Sequence, residues 1–172
     1  RKVRLQKNKF KKKGYSFTGW NTKKNGSGKA YANRTSVKNL TSKSSVTLYA
    51  QWGKNYKVSF HANGGTSAVT SKTVVSGQKY GTLPVPEKNG YDFKGWYTKK
   101  KGGKKITASS KVKLKKKQTL YARWKLATYT ITYDLDGGSN ASSNPASYKF
   151  TTETFTLADP VRNGYRFTGW HL

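Results

Sequence analysis

Thirteen lysines in five short clusters, Lys11-Lys12-Lys13, Lys23-Lys24, Lys99-Lys100-Lys101, Lys104-Lys105 and Lys115-Lys116-Lys117, are the residues best suited to do chemistry in this chain. Ammonium groups bunched this closely hold polyanions, because every phosphate or sulfate they neutralise releases condensed counterions and adds salt-sensitive affinity. The whole chain carries 35 Lys and Arg against six acids, a net charge of +29. Catalysis is another matter, since it needs a positioned base, nucleophile or metal. Two His (His61, His171), six acids and no Cys supply little of that. His61 falls on the polar side of an alternating stretch where a later, related stretch has Asp134, so it reads as a solvated surface residue. The run Asp134-Leu135-Asp136-Gly137-Gly138 lacks the acid spacing and the closing Glu of a calcium loop. Gly102-Gly103-Lys104-Lys105 and Gly26-Ser27-Gly28-Lys29 are not full phosphate-cradling loops and read as turns. No catalytic, cofactor or metal site is expected, and no enzyme.

The clusters are positioned by a repeat. Gly14-Tyr15-Ser16-Phe17-Thr18-Gly19-Trp20 returns as Gly90-Tyr91-Asp92-Phe93-Lys94-Gly95-Trp96 and as Gly164-Tyr165-Arg166-Phe167-Thr168-Gly169-Trp170. Leu48-Tyr49-Ala50-Gln51-Trp52 returns 72 residues later as Leu120-Tyr121-Ala122-Arg123-Trp124. Tyr56-Lys57-Val58-Ser59-Phe60, which leads into Asn63-Gly64-Gly65, is matched by Tyr129-Thr130-Ile131-Thr132-Tyr133, which leads into Asp136-Gly137-Gly138. Such self-similarity marks an array of small modules. Residues 53–124 form a complete repeat, 1–52 hold the C-terminal part of a first and 125–172 the N-terminal part of a third, so the chain reads as a segment of a longer protein. Net charge divides unevenly among the three, at +14, +15 and zero for 1–52, 53–124 and 125–172. On that count basicity looks like a property laid over a common scaffold.

These phrases resemble the Listeria-Bacteroides repeat, also called the internalin B repeat, of bacterial cell-surface proteins. Asn63, Gly64, Gly65, Leu83, Pro84, Pro86, Gly90, Tyr91, Phe93, Gly95, Trp96, Tyr97, Thr98, Leu120, Tyr121, Ala122 and Trp124 carry the match in the middle unit. The resemblance covers nearly the whole chain. It implies a small β-grasp-like module with adhesive or spacer roles at the cell surface, and it names no ligand.

Alternation gives the elements. Tyr56, Val58, Phe60 and Ala62 share one strand face and Lys57, Ser59 and His61 the other; Tyr129, Ile131, Tyr133 and Leu135 repeat the pattern. Asn63-Gly64 and Asp136-Gly137 tolerate the positive φ of tight turns. A second strand is expected around 72–80, with its counterpart at 148–156, before the prolines of Leu83-Pro84-Val85-Pro86 stop sheet pairing. Tyr91 and Phe93 share a face that Trp96 does not, and a bulge at Gly95 would turn the tryptophan inward. Leu120, Ala122 and Trp124 then form an inward-facing closing strand. At most one short helix per repeat is expected, near 108–112, which leaves a mostly β fold of tandem β-grasp-like modules with little helix. Joints at 53–55 and 125–128 are too short to flex freely. The recurring aromatics read as core, because 24 Phe, Trp and Tyr must supply what a unit of about 70 residues otherwise lacks.

The expected function is that of a stalk or spacer and adhesive segment, extracellular, on the bacterial surface or secreted. Its lysines would hold anionic polymers, teichoic acid on a bacterial wall or glycosaminoglycan on a host surface. Non-specific binding of nucleic acid such as extracellular DNA, and a pure spacer with incidental charge, are the alternatives. Head-to-tail strand exchange between the incomplete end units is a further expectation. No run of about 18 apolar residues exists, so no membrane insertion is expected in this segment.

Overall fold

A computed structural model describes residues 2–41 and 45–171. Among these, all regular structure is β and no helix occurs. The strands are β1 (Val3–Arg4), β2 (Tyr15–Asn21), β3 (Ala30–Tyr31), β4 (Ser36–Val37), β5 (Tyr49–His61), β6 (Ser71–Val75), β7 (Tyr91–Tyr97), β8 (Lys105–Ile106), β9 (Gln118–Leu126), β10 (Thr128–Thr130) and β11 (Ser147–Lys149).

The long strand β5 organises the chain. Its first half pairs antiparallel with β2, from Tyr15↔Lys54 to Asn21↔Tyr49. Its second half pairs antiparallel with β6 and, on its other edge, parallel with β9, from Val58↔Gln118 to His61↔Tyr121. One strand therefore closes the first unit and opens the second, and Gly53-Lys54-Asn55 lies inside it. Strand β9 in turn pairs antiparallel with β7, and β8 completes that edge. Among the described residues the third unit has the two-stranded β10·β11 ladder and an isolated bridge, Ser139↔Val161.

The middle unit holds the main core. Val58, Phe60, Val74, Trp96, Ile106, Val112, Leu120 and Ala122 are buried together, with Tyr56, Phe93, Leu114 and Trp124 against them. The alternation in 56–62 and 120–124 thus reads correctly. Burying such side chains contributes about 1.5–3 kcal/mol each. The expected bulge is present: register slips between Phe93 and Gly95, and likewise between Phe17 and Gly19, and the glycines take φ of 124° and 146°. It turns Trp96 inward to 1% exposure, against Phe60 at 4.9 Å and Phe93 at 5.5 Å, and its indole N–H donates to Pro84 O at 2.7 Å. Asn63 and Gly64 take φ of 52° and 88°, and Asp136 and Gly137 43° and 80°, the left-handed turns their types allow.

Two placements differ from the expectation. The helix near 108–112 is absent, because its backbone pairs with 77–81: Val112 N–H donates to Gln78 O at 2.8 Å, Gly77 N–H to Val112 O at 2.9 Å and Tyr80 N–H to Ser110 O at 2.9 Å. Only the turn at 107–110 remains, followed by an isolated bridge, Lys79↔Lys111. The second strand ends at Val75 rather than Tyr80, since Gly77 at φ 81° turns the chain away; its counterpart ends at Lys149.

Candidate functional site

The lysine clusters sit on turns that strong local bonding holds in place. In the β2–β3 loop, Thr22 Oγ1 accepts the Lys29 N–H at 2.9 Å, and in the β7–β8 loop Thr98 Oγ1 accepts the Lys104 N–H at 2.9 Å. Each loop is also tied to the closing strand beside it. Gln51 Nε2 donates to Lys24 O at 3.4 Å, and Arg123, its counterpart, donates to Gly102 O while its guanidinium lies 4.0 Å over the Tyr97 ring. The first loop has an additional clamp in the buried Asn21. Its Nδ2 donates to Gly26 O and Gly28 O, and its Oδ1 accepts the N–H groups of Lys23 and Gly28 at 2.9 Å each. Two equivalent hairpins therefore display Lys23 and Lys24 in one unit and Lys99, Lys100, Lys101, Lys104 and Lys105 in the next, all exposed. Lys11, Lys12 and Lys13 lie in the turn before β2 and Lys115, Lys116 and Lys117 in the turn before β9, also exposed.

The hairpins are spaced along the array. The first joins β5 at Tyr49 (Asn21↔Tyr49); the second joins β9 at Tyr121, which pairs with His61 at the far end of β5. Twelve residues of strand at about 3.3 Å each separate these levels by about 40 Å.

Charge belongs to one half of the repeat. Residues 98–124 hold eleven bases and no acid, while 53–97 hold six bases and two acids. The third unit at net zero spans only the stretch equivalent to 53–97, so its neutrality is compared with +4 and not with +15. The scaffold is thus not seen in charged and uncharged forms of its basic half.

Some bases are structural. Lys12 lies 4.3 Å over Tyr15, Lys88 4.1 Å over Tyr91 and Arg162 3.8 Å over Tyr165, each three residues before the signature tyrosine. In all three the tyrosine N–H also bonds back to the carbonyl of that base, closing the turn that the signature glycine makes with φ near 75°. Sequence reading placed Lys12 with the ligand candidates and passed over Lys88 and Arg162, although the shared spacing was legible. Arg162 additionally bonds Asp136 at 2.7 Å, which occupies one carboxylate of the acidic run. Asn21, Thr22, Thr98 and Gln51 were missed as loop anchors; nothing in a single polar residue marks that role before the hairpin is closed around it. Among the described residues no group of three or more potential metal-binding side chains occurs, and no helix is long and apolar enough to cross a membrane.

The Listeria-Bacteroides repeat domain matches residues 2–51, 56–123 and 129–172. A protein of Evansella cellulosilytica described as a Gly-rich membrane protein is 38% identical over 170 residues, which cover 93% of this chain and 18% of that protein. A second from the same organism, described as a membrane protein, is 35% identical over 168 residues, 93% of this chain and 23% of its own length. Internalin H of Listeria monocytogenes is 33% identical over 141 residues, 78% of this chain and 23% of that protein. The chain thus spans about a fifth of the length of these relatives.

Proposed function

This chain belongs to the Listeria-Bacteroides repeat domain family, and on that premise we propose that it is a non-enzymatic stalk or spacer segment of a bacterial surface or secreted protein that also holds anionic polymers. The observation that carries the reading is the pair of lysine hairpins, built alike in successive units at levels about 40 Å apart along β5. A linear polymer long enough to reach both hairpins engages the second at high effective concentration, which multiplies weak contacts into avidity. Teichoic acid and sulfated glycosaminoglycan are the polymers in view. Duplex DNA is the alternative class. Among the described residues there is no groove-reading helix for it, so any such binding would be backbone-directed and non-specific.

The test is binding to wall teichoic acid, heparin and duplex DNA across a salt series, with each polymer also cut to lengths below and above about 40 Å. Retained, selective binding at roughly 0.15 M salt is expected, with affinity rising sharply once a polymer reaches both hairpins. Replacing Lys99, Lys100, Lys101, Lys115, Lys116 and Lys117 by Ser should cost more than about tenfold and flatten the salt slope. Weak binding that ignores polymer length and vanishes by physiological salt would leave a spacer whose charge is incidental. Equal affinity for DNA and heparin at matched charge would make the surface a generic polyanion trap.

A further inference from the structure

The core of the middle unit lies against one face of its sheet. On the opposite face, residues of four strands stand in one row: His61 of β5 is in register with Tyr121 of β9, Tyr121 with Tyr97 of β7, and Tyr97 with Lys105 of β8. At a strand spacing of about 4.8 Å the row is about 14 Å long. A second row, Ser71, Ser59 and Thr119, runs beside it across β6, β5 and β9. We propose that this face is a carbohydrate platform, which takes a sulfated glycosaminoglycan with its sugar rings on the aromatic row. This rests on the reading given above, that the chain holds anionic polymers, and narrows the polymer to one class.

A pyranose offers apolar C–H faces to aromatic rings, and hydroxyls around its rim that donate and accept hydrogen bonds. The rings are there to meet it: His61 is exposed, Tyr121 and Tyr97 are half-buried, and the His61 and Tyr121 rings stand 5.4 Å apart. His61 Nδ1 accepts the Asn63 N–H at 3.0 Å, which fixes the ring and leaves Nε2 as the donor of the neutral imidazole. The hydroxyls of Ser71, Ser59 and Thr119 have no hydrogen-bond partner among the described residues, so a sugar finds donors and acceptors next to the rings.

Sulfates are met by cations already in position. The Arg123 guanidinium lies 4.0 Å over the Tyr97 ring and donates to Gly102 O, so it is held at the row before any ligand arrives. Lys105 reaches back along β7, where a Cβ added to Gly95 would lie 2.5 Å from its Cε. Little ordering is left to be done on binding, which removes a principal cost of association. The residues 98–124 that supply both bases hold no acid, so no carboxylate of that stretch competes for them.

The same features separate the polymers. A polyol phosphate has the charge but no ring for the row. The bases of a single-stranded nucleic acid stack on aromatic rings too, but stacking leaves the hydroxyl row unused. Nor is the platform a demand of the scaffold. In the first unit the equivalents of Tyr97 and Lys105 are Asn21, 2% exposed and bonded into its own loop, and Ala30; the third unit has Asp134 where the middle one has His61.

Isothermal titration calorimetry at roughly 0.15 M salt tests the whole chain against a heparin hexasaccharide, a poly(glycerol phosphate) of equal charge and oligothymidylate. Tyr121→Thr, which keeps a residue type suited to a strand, should weaken heparin at least about fivefold and poly(glycerol phosphate) less than about twofold. Replacing Lys99, Lys100, Lys101, Lys115, Lys116 and Lys117 by Ser should weaken both. On the unaltered chain, saturating the Tyr and His ring protons should transfer magnetisation to the sugar ring protons of heparin, a readout that needs no variant to fold. Equal Tyr121→Thr losses for the two polymers, or none, while the lysine variant still loses both, would overturn the platform and leave the polymer reading standing. A larger Tyr121→Thr loss for oligothymidylate than for heparin would make bases the ligand and also overturn it. No binding of any of the three by the unaltered chain would end both readings.

Discussion

Replacing Gly53 by alanine tests whether successive units are joined as one continuous strand. Gly53 is buried in the middle of β5, and a Cβ there would lie 2.4 Å from Val75 Cγ1, 2.7 Å from Ser76 O and 3.3 Å from Thr18 Cγ2. Carbon contacts are comfortable at about 3.5–4.0 Å, so Val75 must retreat by about 1 Å. Ser76 O cannot follow freely, because the Ser76 N–H is bonded to Lys54 O at 2.8 Å. Overpacking of this kind costs about 1–3 kcal/mol, offset by about 0.4–1 kcal/mol from the stiffer unfolded chain, so a net loss of about 1–2 kcal/mol is expected. A unit of this size has only about 3–10 kcal/mol to lose. Urea denaturation followed by tryptophan fluorescence measures the change, with the exposed Lys54→Ala as control. Val75→Ala removes the nearest obstacle but leaves the Ser76 carbonyl. The double variant should therefore recover at least about 0.5 kcal/mol of the sum of the single losses. An alanine at 53 that is neutral, or two strictly additive losses, would refute the packed joint.

Asn21→Ala deprives four backbone groups of their partner and should cost about 1–3 kcal/mol. Faster amide exchange confined first to 22–29 would locate the loss in the lysine loop. Burial raises the Tyr80 hydroxyl above its ordinary 10.0, and that hydroxyl donates to Gln118 Oε1 at 2.7 Å. A raised folded value means the stabilisation is fully present below the unfolded value near 10 and is lost as pH rises through the folded one. Tyr80→Phe should accordingly lose about 1 kcal/mol at neutral pH yet show a shallower alkaline decline above pH ~10, measured by thermal melts across that range.

What the sequence made legible was whatever one strand decides for itself. The inward set Val58, Phe60, Leu120 and Ala122 follows from a period of two, and the parity clash between Phe93 and Trp96 was enough to require the bulge at Gly95. Partner choice was not local. The parallel pairing of β5 with β9 joins residues some 60 apart, and neither phrase carries a mark of the other. The stretch 108–112 was misread for the same reason, since its hydrogen bonds go to 77–81. At the candidate surface the lysines were evident from composition, while the residues that hold their loops, Asn21 and Arg123 among them, acquire that role only through closure.

The joints add a consequence that the repeat period hides. Tyr56 follows Trp52 by a step of four residues, and Tyr129 follows Trp124 by a step of five. Because strand side chains alternate, the four-residue step keeps both aromatics on the same parity and β5 runs through unbroken. The extra residue of the second joint puts them on opposite parity, and the ladder breaks at Ala127 between β9 and β10. Both joints are still anchored to the preceding signature, through Asn55 N–H to Gly14 O at 2.8 Å and Ala127 N–H to Gly90 O at 2.9 Å. Phe150 further covers Gly90, where an added Cβ would lie 2.3 Å from its ring. Joint length therefore sets how each unit is turned against the one before it, and with it where each lysine hairpin points. A polymer that meets hairpins at fixed spacing and orientation loses less freedom at its second contact than one that must order a slack chain. In the proposed polymer binding, the short, bonded joints are thus what would make the lysine hairpins act together.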